Sequence, residues 1–340
     1  MHDFYSDTKT RPTQAMREAM LTAEVGDEQK DEDPTTTELC RRVADLLGKE
    51  AAVFLPSGTM CNEIAIRVHV RPGDEIICER TCHIIGFEGG GPAAISGAMI
   101  HPLDGEGGIF TAEQVRGAIR YESRYDPASR LLCIEQTANL AGGAIWPLSS
   151  VDSVTSTAKG AGLARHMDGA RLMNAVVATG ISAATWAAHV DSVWIDFTKG
   201  LGAPVGAALA GSAEFIRQAW RFKQQFGGAM RQSGVIASMC LHALDHNVDR
   251  LVEDHRRAAE IETHLARLPK VARVLPVQTN IIIFDIAENG PTSEELTRVC
   301  AENGVTIGDF GSRRIRLVTH LDVDDGSVAA LCACLTAHLG

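Results

Sequence analysis

The chain has no uninterrupted hydrophobic run of the roughly 20 residues that a membrane-spanning helix needs. Its opening residues contain no apolar segment of the kind that marks a secretory signal peptide. Basic residues are also few, since 32 Lys and Arg stand against 43 Asp and Glu, a formal net charge of −11. This balance disfavours general nucleic-acid binding and anionic-membrane binding. It leaves open a small anionic substrate that is held by local arginines.

Nine cysteines, an odd number scattered from Cys40 to Cys334, do not form the even, spaced set of a disulfide framework. No second His or Cys pair accompanies Cys78 and Cys82 at metal-ligand spacing, so no metal site is predicted. The Gly-Leu-Gly at 200–202 does not open a first strand–helix unit, which disfavours an NAD-linked dehydrogenase. The sequence therefore predicts free structural thiols and a reducing, cytoplasmic compartment.

Short apolar segments alternate with helix-like segments through about residue 240, which predicts an α/β fold with a mostly parallel sheet. A hydrophobic content of 45% and a length of 340 residues suit one large domain with a smaller one. We predict an N-terminal arm at 1–15, a large domain at 16–250 and a small C-terminal αβ domain at 251–340. The predicted strands of the large domain are 74–79, 98–101, 131–135, 163–167, 192–197 and 205–210.

Other elements follow from caps and periodicity. The acidic segment 27–34 is predicted to be a loop, followed by a helix at 35–47 that Gly48 ends. The charged stretch 241–268 is predicted to be one solvated connecting helix. The remaining predictions are a helix at 60–70, a strand at 279–285, a helix at 293–303, a strand pair around Gly311 that ends at 315–320, and a last helix at 326–339.

Two charged residues directly follow two of the apolar runs. Asp168 ends one run within His-Met-Asp-Gly-Ala-Arg, and Lys199 follows the other within a glycine-rich loop. Because ligands of open α/β sheets bind at the carboxyl ends of the strands, both side chains are expected at one edge. An isolated lysine or aspartate in such a turn is usually only solvated. Together they suit pyridoxal phosphate, whose aldehyde reacts with a lysine and whose ring nitrogen pairs with a carboxylate.

The segment Ser57-Gly58-Thr59 opens a helical pattern and could cradle a phosphate with its free amides, although it is also an ordinary helix cap. His83 follows a predicted strand, where it could stack on the pyridoxal ring and transfer protons near neutral pH. A hydrogen-bonded structural histidine is the commoner explanation. Asn139 could bond the phenolic oxygen of the cofactor or cap a turn.

Two arginines are candidates for binding a substrate carboxylate. Arg171 follows Asp168 by three residues, and Arg316 lies in a predicted strand of the small domain. A guanidinium can hold a carboxylate through two parallel hydrogen bonds, which suits either residue to this task.

The chain resembles the low-specificity L-threonine aldolases of the fold-type I pyridoxal-phosphate enzymes over nearly its full length. The resemblance rests on motifs that occur in order, and their combination is specific. They are Ser-Asp-Thr-Lys-Thr at 6–10, Glu-Asp-Pro-Thr at 32–35, Pro-Ser-Gly-Thr-Met-Cys-Asn at 56–62, Asp-Gly-Ala-Arg at 168–171, Lys-Gly-Leu-Gly-Ala-Pro-Val-Gly at 199–206, Gly-Gly-Ala-Met-Arg-Gln at 227–232 and Arg-Leu-Val-Thr-His at 316–320.

The resemblance implies a lyase that cleaves the Cα–Cβ bond of a β-hydroxy-α-amino acid to glycine and an aldehyde. It implies that Lys199 forms the Schiff base, that Asp168 pairs with the pyridine nitrogen and that His83 stacks on the ring. The remaining implied roles are phosphate binding by Gly58 and Thr59, substrate-carboxylate binding by Ser6, Arg171 and Arg316, and contact with the phosphate region across a subunit interface by Arg231. The family also implies a homodimer or homotetramer with shared active sites.

Three departures from the family pattern bear on the reaction. Ala138 stands where the family usually has a histidine, Lys30 stands at the place of a tyrosine, and Gln224 and Gln225 stand where a lysine is common. These changes leave the cofactor chemistry intact but put the preference for threonine in question. The open alternatives are β-elimination, racemisation or transamination with Lys199 as the base, a larger substrate, and a non-catalytic pyridoxal-binding protein.

Overall fold

The computed structural model describes all 340 residues as an α/β protein with two main sheets. The strands are β1 His2–Asp3, β2 Ala51–Leu55, β3 Glu75–Glu79, β4 Met99–Leu103, β5 Ser129–Glu135, β6 Ala164–Asp168, β7 Ser192–Asp196, β8 Ala207–Gly211, β9 Val271–Val274, β10 Ile281–Ile286, β11 Val305–Thr306, β12 Gly308–Asp309 and β13 Arg314–Val318. The helices are α1 Gln14–Leu21, α2 Pro34–Leu47, α3 Gly58–His69, α4 His83–Gly86, α5 Gly91–Ser96, α6 Ala112–Ala118, α7 Leu148–Gly160, α8 Leu172–Thr179, α9 Ala183–Ala187, α10 Ala213–Gln225, α11 Gly234–His246, α12 Leu251–Leu265, α13 Ser293–Glu302 and α14 Asp325–Leu339.

The larger sheet has seven strands in the order β2-β8-β7-β6-β5-β3-β4. The pairs from β7 through β6, β5 and β3 to β4 are parallel, and β8 runs antiparallel to both β7 and β2. Alternate side chains of one strand enter different cores, because successive side chains point to opposite faces. In β7, Val193 and Ile195 join a cluster of 36 buried residues, whereas Trp194 joins a separate cluster of 11. The prediction of an α/β fold with a mostly parallel sheet is confirmed.

The smaller sheet is antiparallel, with the order β12-β13-β10-β9, and it packs with α12, α13 and α14 around a second core of 20 buried residues. The first residues of the chain are anchored here. Strand β1 pairs in parallel with β11, and Phe4 is fully buried in the second core. The predicted strand pair around Gly311 is confirmed, since β12 and β13 are antiparallel neighbours. The predicted domain limits stay a prediction.

The prediction of one solvated helix over 241–268 is wrong. The structure has two helices, α11 and α12, that are separated at Asn247, whose side-chain amide donates to the carbonyl of Leu201 at 2.7 Å. One side of α12 is buried through Leu251, Ile261 and Leu265. Most of the charged residues that suggested a solvated helix lie on its outer side, although Asp254 is buried and paired with Arg250. Their density concealed the apolar positions spaced three and four apart.

Two further differences concern the start of the large sheet. The segment 27–34 is not simply a loop, because Glu28–Lys30 forms a 3-10 helix and Asp33 caps α2, accepting from the amide of Thr36 at 2.9 Å. Strand β2 was not among the predicted strands. All five of its residues are apolar, so they show no period-two alternation, and they fill a short segment between a helix C-cap and the Pro-Ser-Gly turn. No helix of the structure combines the length and apolar character needed to cross a bilayer.

The loop between β7 and β8 carries Lys199 and depends on Gly206. This glycine has φ +125°, and a Cβ there would lie 2.5 Å from the Phe54 ring and 3.2 Å from Cys240 Sγ. Backbone strain and overpacking together should lower the unfolding free energy of Gly206→Ala by about 2–4 kcal/mol. Urea unfolding measures this change. Gly117→Ala is the control, because a Cβ there meets nothing within 4 Å, and it should be neutral or slightly stabilising. Equal stabilities of the two variants would contradict this account.

Candidate active site

Lys199 follows the carboxyl end of β7, where its ammonium group is held by Asp196. The distance from Lys199 Nζ to Asp196 Oδ2 is 3.0 Å, and both side chains are largely buried. The other oxygen of Asp196 accepts from the amide and the hydroxyl of Thr198, each at 2.8 Å. The Lys199 ammonium also lies 5.7 Å from the centre of the Trp194 ring. The lysine is thus fixed at the sheet edge, as predicted from its place after an apolar run.

Asp168 is the last residue of the neighbouring strand β6, and its carboxylate is buried. Its Oδ2 accepts from Asn62 Nδ2 at 2.8 Å, and its Oδ1 accepts from the amide of Ala170 at 3.0 Å. The same Asn62 amide donates to Glu88 Oε1 at 2.7 Å. Because a carboxylate accepts several hydrogen bonds, Asp168 can still accept one more from a ligand.

The Asn62 carbonyl is the end of a buried chain of polar groups. It accepts from Trp194 Nε1 at 2.7 Å and lies 3.1 Å from His166 Nε2. The other nitrogen of His166 lies 2.8 Å from Ser192 Oγ, which in turn lies 2.8 Å from His69 Nε2. Burial lowers the pKa of His166 to about 3 and that of His69 to about 4, so both rings are neutral. This network fixes Asn62 and, through it, the orientation of Asp168.

His83 begins α4, and two buried carboxylates hold it. Its Nδ1 lies 2.7 Å from Glu88 Oε1, while its backbone amide donates to Glu135 Oε2 at 2.7 Å. The ring is stacked with Phe87 at 5.5 Å and is 32% exposed, so its Nε2 edge is accessible from the site. A ring nitrogen of His83 and one carboxylate oxygen each of Glu88 and Asp168 all lie within 4.8 Å of one another. The predicted ring-stacking histidine and the predicted pyridine partner are therefore neighbours.

The charges around His83 shift two pKa values. Burial acts to lower the pKa of His83, but the hydrogen bond that its ring donates to Glu88 and the charge of Asp168 outweigh it, so the pKa is raised. Burial, with the Asp168 charge, raises the pKa of Glu135 to about 7, although the amides of Asn139 and His83 partly offset this. The site thus contains a carboxyl group, Glu135, and a histidine, His83, whose pKa values are both raised, and shifted pKa values are common where proton transfer occurs.

The N-terminus of α3 faces this cluster and provides free amides. Ser57 caps the helix by accepting from the amide of Met60 at 3.2 Å, and the amides of Gly58 and Thr59 have no partner in the helix. A Cβ at Gly58 would lie 2.2 Å from the Trp194 ring, so only glycine fits there. Exposed amides and the positive end of the helix dipole suit a phosphate group.

Arg171 is already paired in this chain. Its Nε and Nη2 donate to the two oxygens of Asp7 at 2.8 and 2.6 Å, and Asn280 donates to the same carboxylate at 3.1 Å. Burial acts to raise the pKa of Asp7, but Arg171 outweighs it and holds that pKa well below its usual range. Only Nη1 of Arg171 points elsewhere, 3.5 Å from the side-chain oxygen of Asn139.

Arg316 lies beside Arg171 with an incomplete set of partners. Its Nη2 donates to Asn139 Oδ1 at 2.9 Å, and its guanidinium lies 5.2 Å from the Phe310 ring, but its buried Nε has no hydrogen-bond acceptor. Burial and the neighbouring Arg171 lower the pKa of Arg316 to about 10. A buried cation with an unpaired donor is costly, and an anion is the group that would relieve it.

Two predicted site residues lie outside this central group. Ser6 is buried in the arm next to Asp7, and its hydroxyl accepts from the amide and hydroxyl of Thr8 at 3.2 and 2.9 Å. Arg231 is 61% exposed and donates to Asp27 at 2.7 Å. Asn139 contacts the two arginines. Its bond to the phenolic oxygen, Ser6's contact with substrate and Arg231's contact across an interface stay predictions.

Sequence reasoning missed several residues on which the site depends, namely Asp7, Asn62, Glu88, Glu135 and Asp196. Each lies inside or next to a segment that the motifs had already marked, but spacing alone gave it no partner. Asp196 was detectable, since it ends the strand three residues before Lys199. The contacts of Asp7 with Arg171, 164 residues apart, could not be seen before the chain was folded.

Comparison with known proteins agrees with this geometry. Residues 3–289 match the family model of the beta-eliminating lyases. The chain is 39% identical to low-specificity L-threonine aldolase 1 of Arabidopsis thaliana, covering 98% of this chain and 94% of the relative. It is 36% identical to the low specificity L-threonine aldolase of Escherichia coli K12, covering 100% and 99% of the two chains.

Solved structures give the same fold. The Leishmania major threonine aldolase has a TM-score of 0.85 at 19% identity, covering 99% of both chains. Serine palmitoyltransferase of Sphingomonas wittichii has a TM-score of 0.75 at 15% identity, covering 98% of this chain and 86% of the other. These likenesses confirm the predicted fold-type I architecture. With the family match and the two close relatives, they show that the chain belongs to the beta-eliminating lyases and to the low-specificity L-threonine aldolase family.

Proposed function

We propose that this protein is a pyridoxal-phosphate-dependent lyase that cleaves the Cα–Cβ bond of a β-hydroxy-α-amino acid to glycine and an aldehyde. The names of its relatives support the reaction. The observation that carries the proposal is that Asp168 and Lys199 lie at the carboxyl ends of the adjacent parallel strands β6 and β7, with His83 beside Asp168.

The residues present fit pyridoxal phosphate. The glycine-only cradle at Gly58 and the free amides of α3 suit the phosphate, and Asp168 has an open acceptor position for a protonated ring nitrogen. Lys199 would hold the aldehyde carbon, and Asp196 would balance its charge at 3.0 Å. When bound, the cofactor supplies an electron sink for the bond that breaks at Cα.

Arg316 is proposed to bind the substrate carboxylate. Its unpaired Nε and the outward Nη1 of Arg171 present two donors beside Asn139, whereas the rest of Arg171 is occupied by Asp7. Arg171 then acts mainly by fixing Asp7 of the N-terminal arm, and Arg316 makes the direct contact with the substrate carboxylate. Fixing the carboxylate selects which bond to Cα is aligned for cleavage.

His83 is proposed to take the proton from the β-hydroxyl, because Ala138 supplies no base where the family usually has a histidine. Its Nδ1 is committed to Glu88 at 2.7 Å, which leaves Nε2 as the acceptor of the proton. The imidazolium that forms is stabilised by the Glu88 carboxylate. This pairing of a histidine with an orienting carboxylate is a common arrangement for general bases.

We also propose a homodimer or homotetramer. Helices α1 and α11 pack together, and exposed apolar side chains lie near their ends, including Leu21 at 78% and Val235 at 37% exposure. The exposed Arg231 lies shortly before α11, so an interface on this side would bring it to a second chain. The nine unpaired cysteines support a reducing compartment such as the cytoplasm.

The proposed reaction predicts its products. Purified, cofactor-loaded protein should release glycine and an aldehyde from at least one of L-threonine, L-allo-threonine, L-phenylserine and 3-hydroxyaspartate. Coupled assays for aldehyde, glycine and 2-oxo acids measure the outcome. A 2-oxo acid without aldehyde would replace the proposal with β-elimination catalysed by Lys199 as the base.

His83→Asn should lower kcat by about 10²- to 10⁴-fold, the usual contribution of a positioned base, while the visible absorbance of the bound cofactor is kept. Asparagine can still donate a hydrogen bond toward Glu88, so the local packing should survive. Steady-state kinetics and the absorption spectrum separate loss of the base from loss of cofactor. Near wild-type turnover in a cofactor-loaded variant would contradict the assignment.

Arg316→Ala should raise KM by about 10- to 100-fold, the loss expected for charge-assisted hydrogen bonds to a carboxylate. Arg314→Ala is the matched control on the same strand, since that arginine pairs with Asp285 at 2.7 Å and not with Asn139. Initial rates over a range of substrate concentrations measure both variants. Equal KM values for the two variants would show that Arg316 does not bind the substrate.

A further inference from the structure

Behind His83 lies a second buried carboxyl group that the proposed mechanism does not use. Glu63 is on α3 with only 4% of its surface exposed, and neither of its carboxyl oxygens has a hydrogen-bond donor. Glu88 Oε2 lacks a donor as well, although Glu88 Oε1 accepts from Asn62 and faces His83. Three carboxyl oxygens are therefore buried together without a donor, unless one of the two groups carries a proton.

The fold accommodates this arrangement at Gly91. A Cβ at that position would lie 1.9 Å from Glu63 Oε1 and 2.5 Å from its carboxyl carbon. The first residue of α5 is thus in direct contact with the Glu63 carboxyl, and a larger side chain there would displace it. The packing at Gly91 holds the Glu63 carboxyl in place, within hydrogen-bonding reach of Glu88.

No cation compensates Glu63. Arg67, one turn after Glu63 on α3, lies over the Phe222 ring at 5.1 Å, and Lys223 of the adjacent α10 is paired with Glu28 at 2.8 Å. Helix α5 carries no ionisable side chain. Burial and the neighbouring Glu88 raise the pKa of Glu63 to about 8, with Glu88 as the only charged group that acts on it.

We propose that Glu63 and Glu88 share one proton at neutral pH, and that Glu63, as the hydrogen-bond donor, positions Glu88 to hold His83. The first half is argued from the buried carboxyl oxygens without donors and from the packing of Glu63. The second half rests on the proposed role of His83 as the base. With the proton in place, Glu88 accepts from Glu63, Asn62 and His83, so its orientation is fixed. His83 then keeps its Nδ1 proton and presents Nε2 to the substrate.

Several other charges act on His83 and stay the same when Glu63 is changed. Asp168 and Glu135 face it from the ends of β6 and β5, and Lys199 faces it from the loop after β7. Glu63 acts on His83 through Glu88. Glu63 is therefore a positioning residue, and its effect on turnover should depend on whether it can donate a hydrogen bond.

The shared proton has a consequence for stability that does not involve catalysis. An unfolded glutamate titrates near 4.5, whereas folded Glu63 keeps its proton to about pH 8. The folded state thus binds the extra proton, and its stability falls relative to Glu63→Gln as the pH rises from 4.5 to 8. Above that pH the difference is constant.

The first experiment tests the pair on cofactor-loaded protein without an activity assay. Infrared spectra should show the C=O stretch of a carboxylic acid at pH 7.5, and Glu63→Gln should lose part of that band. The Tm of Glu63→Gln minus that of wild type should grow between pH 5 and pH 8.5. The exposed control Glu294→Gln should show neither effect. Identical infrared bands, together with a Tm difference independent of pH, would overturn the shared proton.

The second experiment tests the positioning of His83. Glu63→Gln keeps a neutral donor and should stay within about three-fold of wild-type kcat at pH 7, whereas Glu63→Met keeps the volume without a donor and should lose about ten-fold at unchanged KM. Wild type should fall toward the Glu63→Met rate as the pH rises through about 8, because ionised Glu63 cannot donate. The rate of Glu63→Gln should not fall over the same pH range.

These outcomes separate the two proposals. Equal rates and equal pH profiles for Glu63→Gln, Glu63→Met and wild type would overturn the positioning role. A protein that releases no aldehyde from any substrate would overturn the proposed function, but the infrared band and the Tm difference would still decide whether Glu63 and Glu88 share a proton.

Discussion

The side-chain amide of Asn62 is the constraint on which the rest of the site depends. Its nitrogen donates to Asp168 and Glu88 at 2.8 and 2.7 Å, and its oxygen is bonded by Trp194 and lies 3.1 Å from His166. All four hydrogen-bonding positions of the amide are used, so it cannot rotate without leaving a buried group unpaired. One residue of α3 thereby fixes both carboxylates that the proposed chemistry needs.

The site also joins parts of the chain that are distant in sequence. The arm supplies Asp7, which fixes Arg171 beside β6, and β13 of the smaller sheet supplies Arg316. Asn139 lies between the two guanidinium groups. Two buried arginines side by side repel each other, so they require either Asp7 or an incoming anion. This electrostatic arrangement gives a protein of net charge −11 a local positive site that suits the proposed binding of a substrate carboxylate.

The replacement of a histidine by Ala138 is compatible with this geometry. The proposed base and its orienting carboxylate, His83 and Glu88, lie on a different segment. Glu63 and Glu135 add two carboxyl groups with raised pKa values on either side of that pair. In the proposed mechanism, proton transfer at the site is thus governed by buried carboxyl groups and not by a second histidine.

The sequence alone determined the α/β class and the edge of the sheet where Asp168 and Lys199 lie, and it marked Gly58 as the proposed phosphate cradle. Each of these follows from local rules, because short apolar runs, turn residues and helix caps act over a few neighbouring residues. The tertiary structure decided which charges are paired. It assigned Arg171 to Asp7 and left Arg316 with a free donor, divided the helical stretch at Asn247, and placed Glu63 against Glu88. Burial and long-range contacts set these partners, and neither is encoded in the spacing of the residues along the chain.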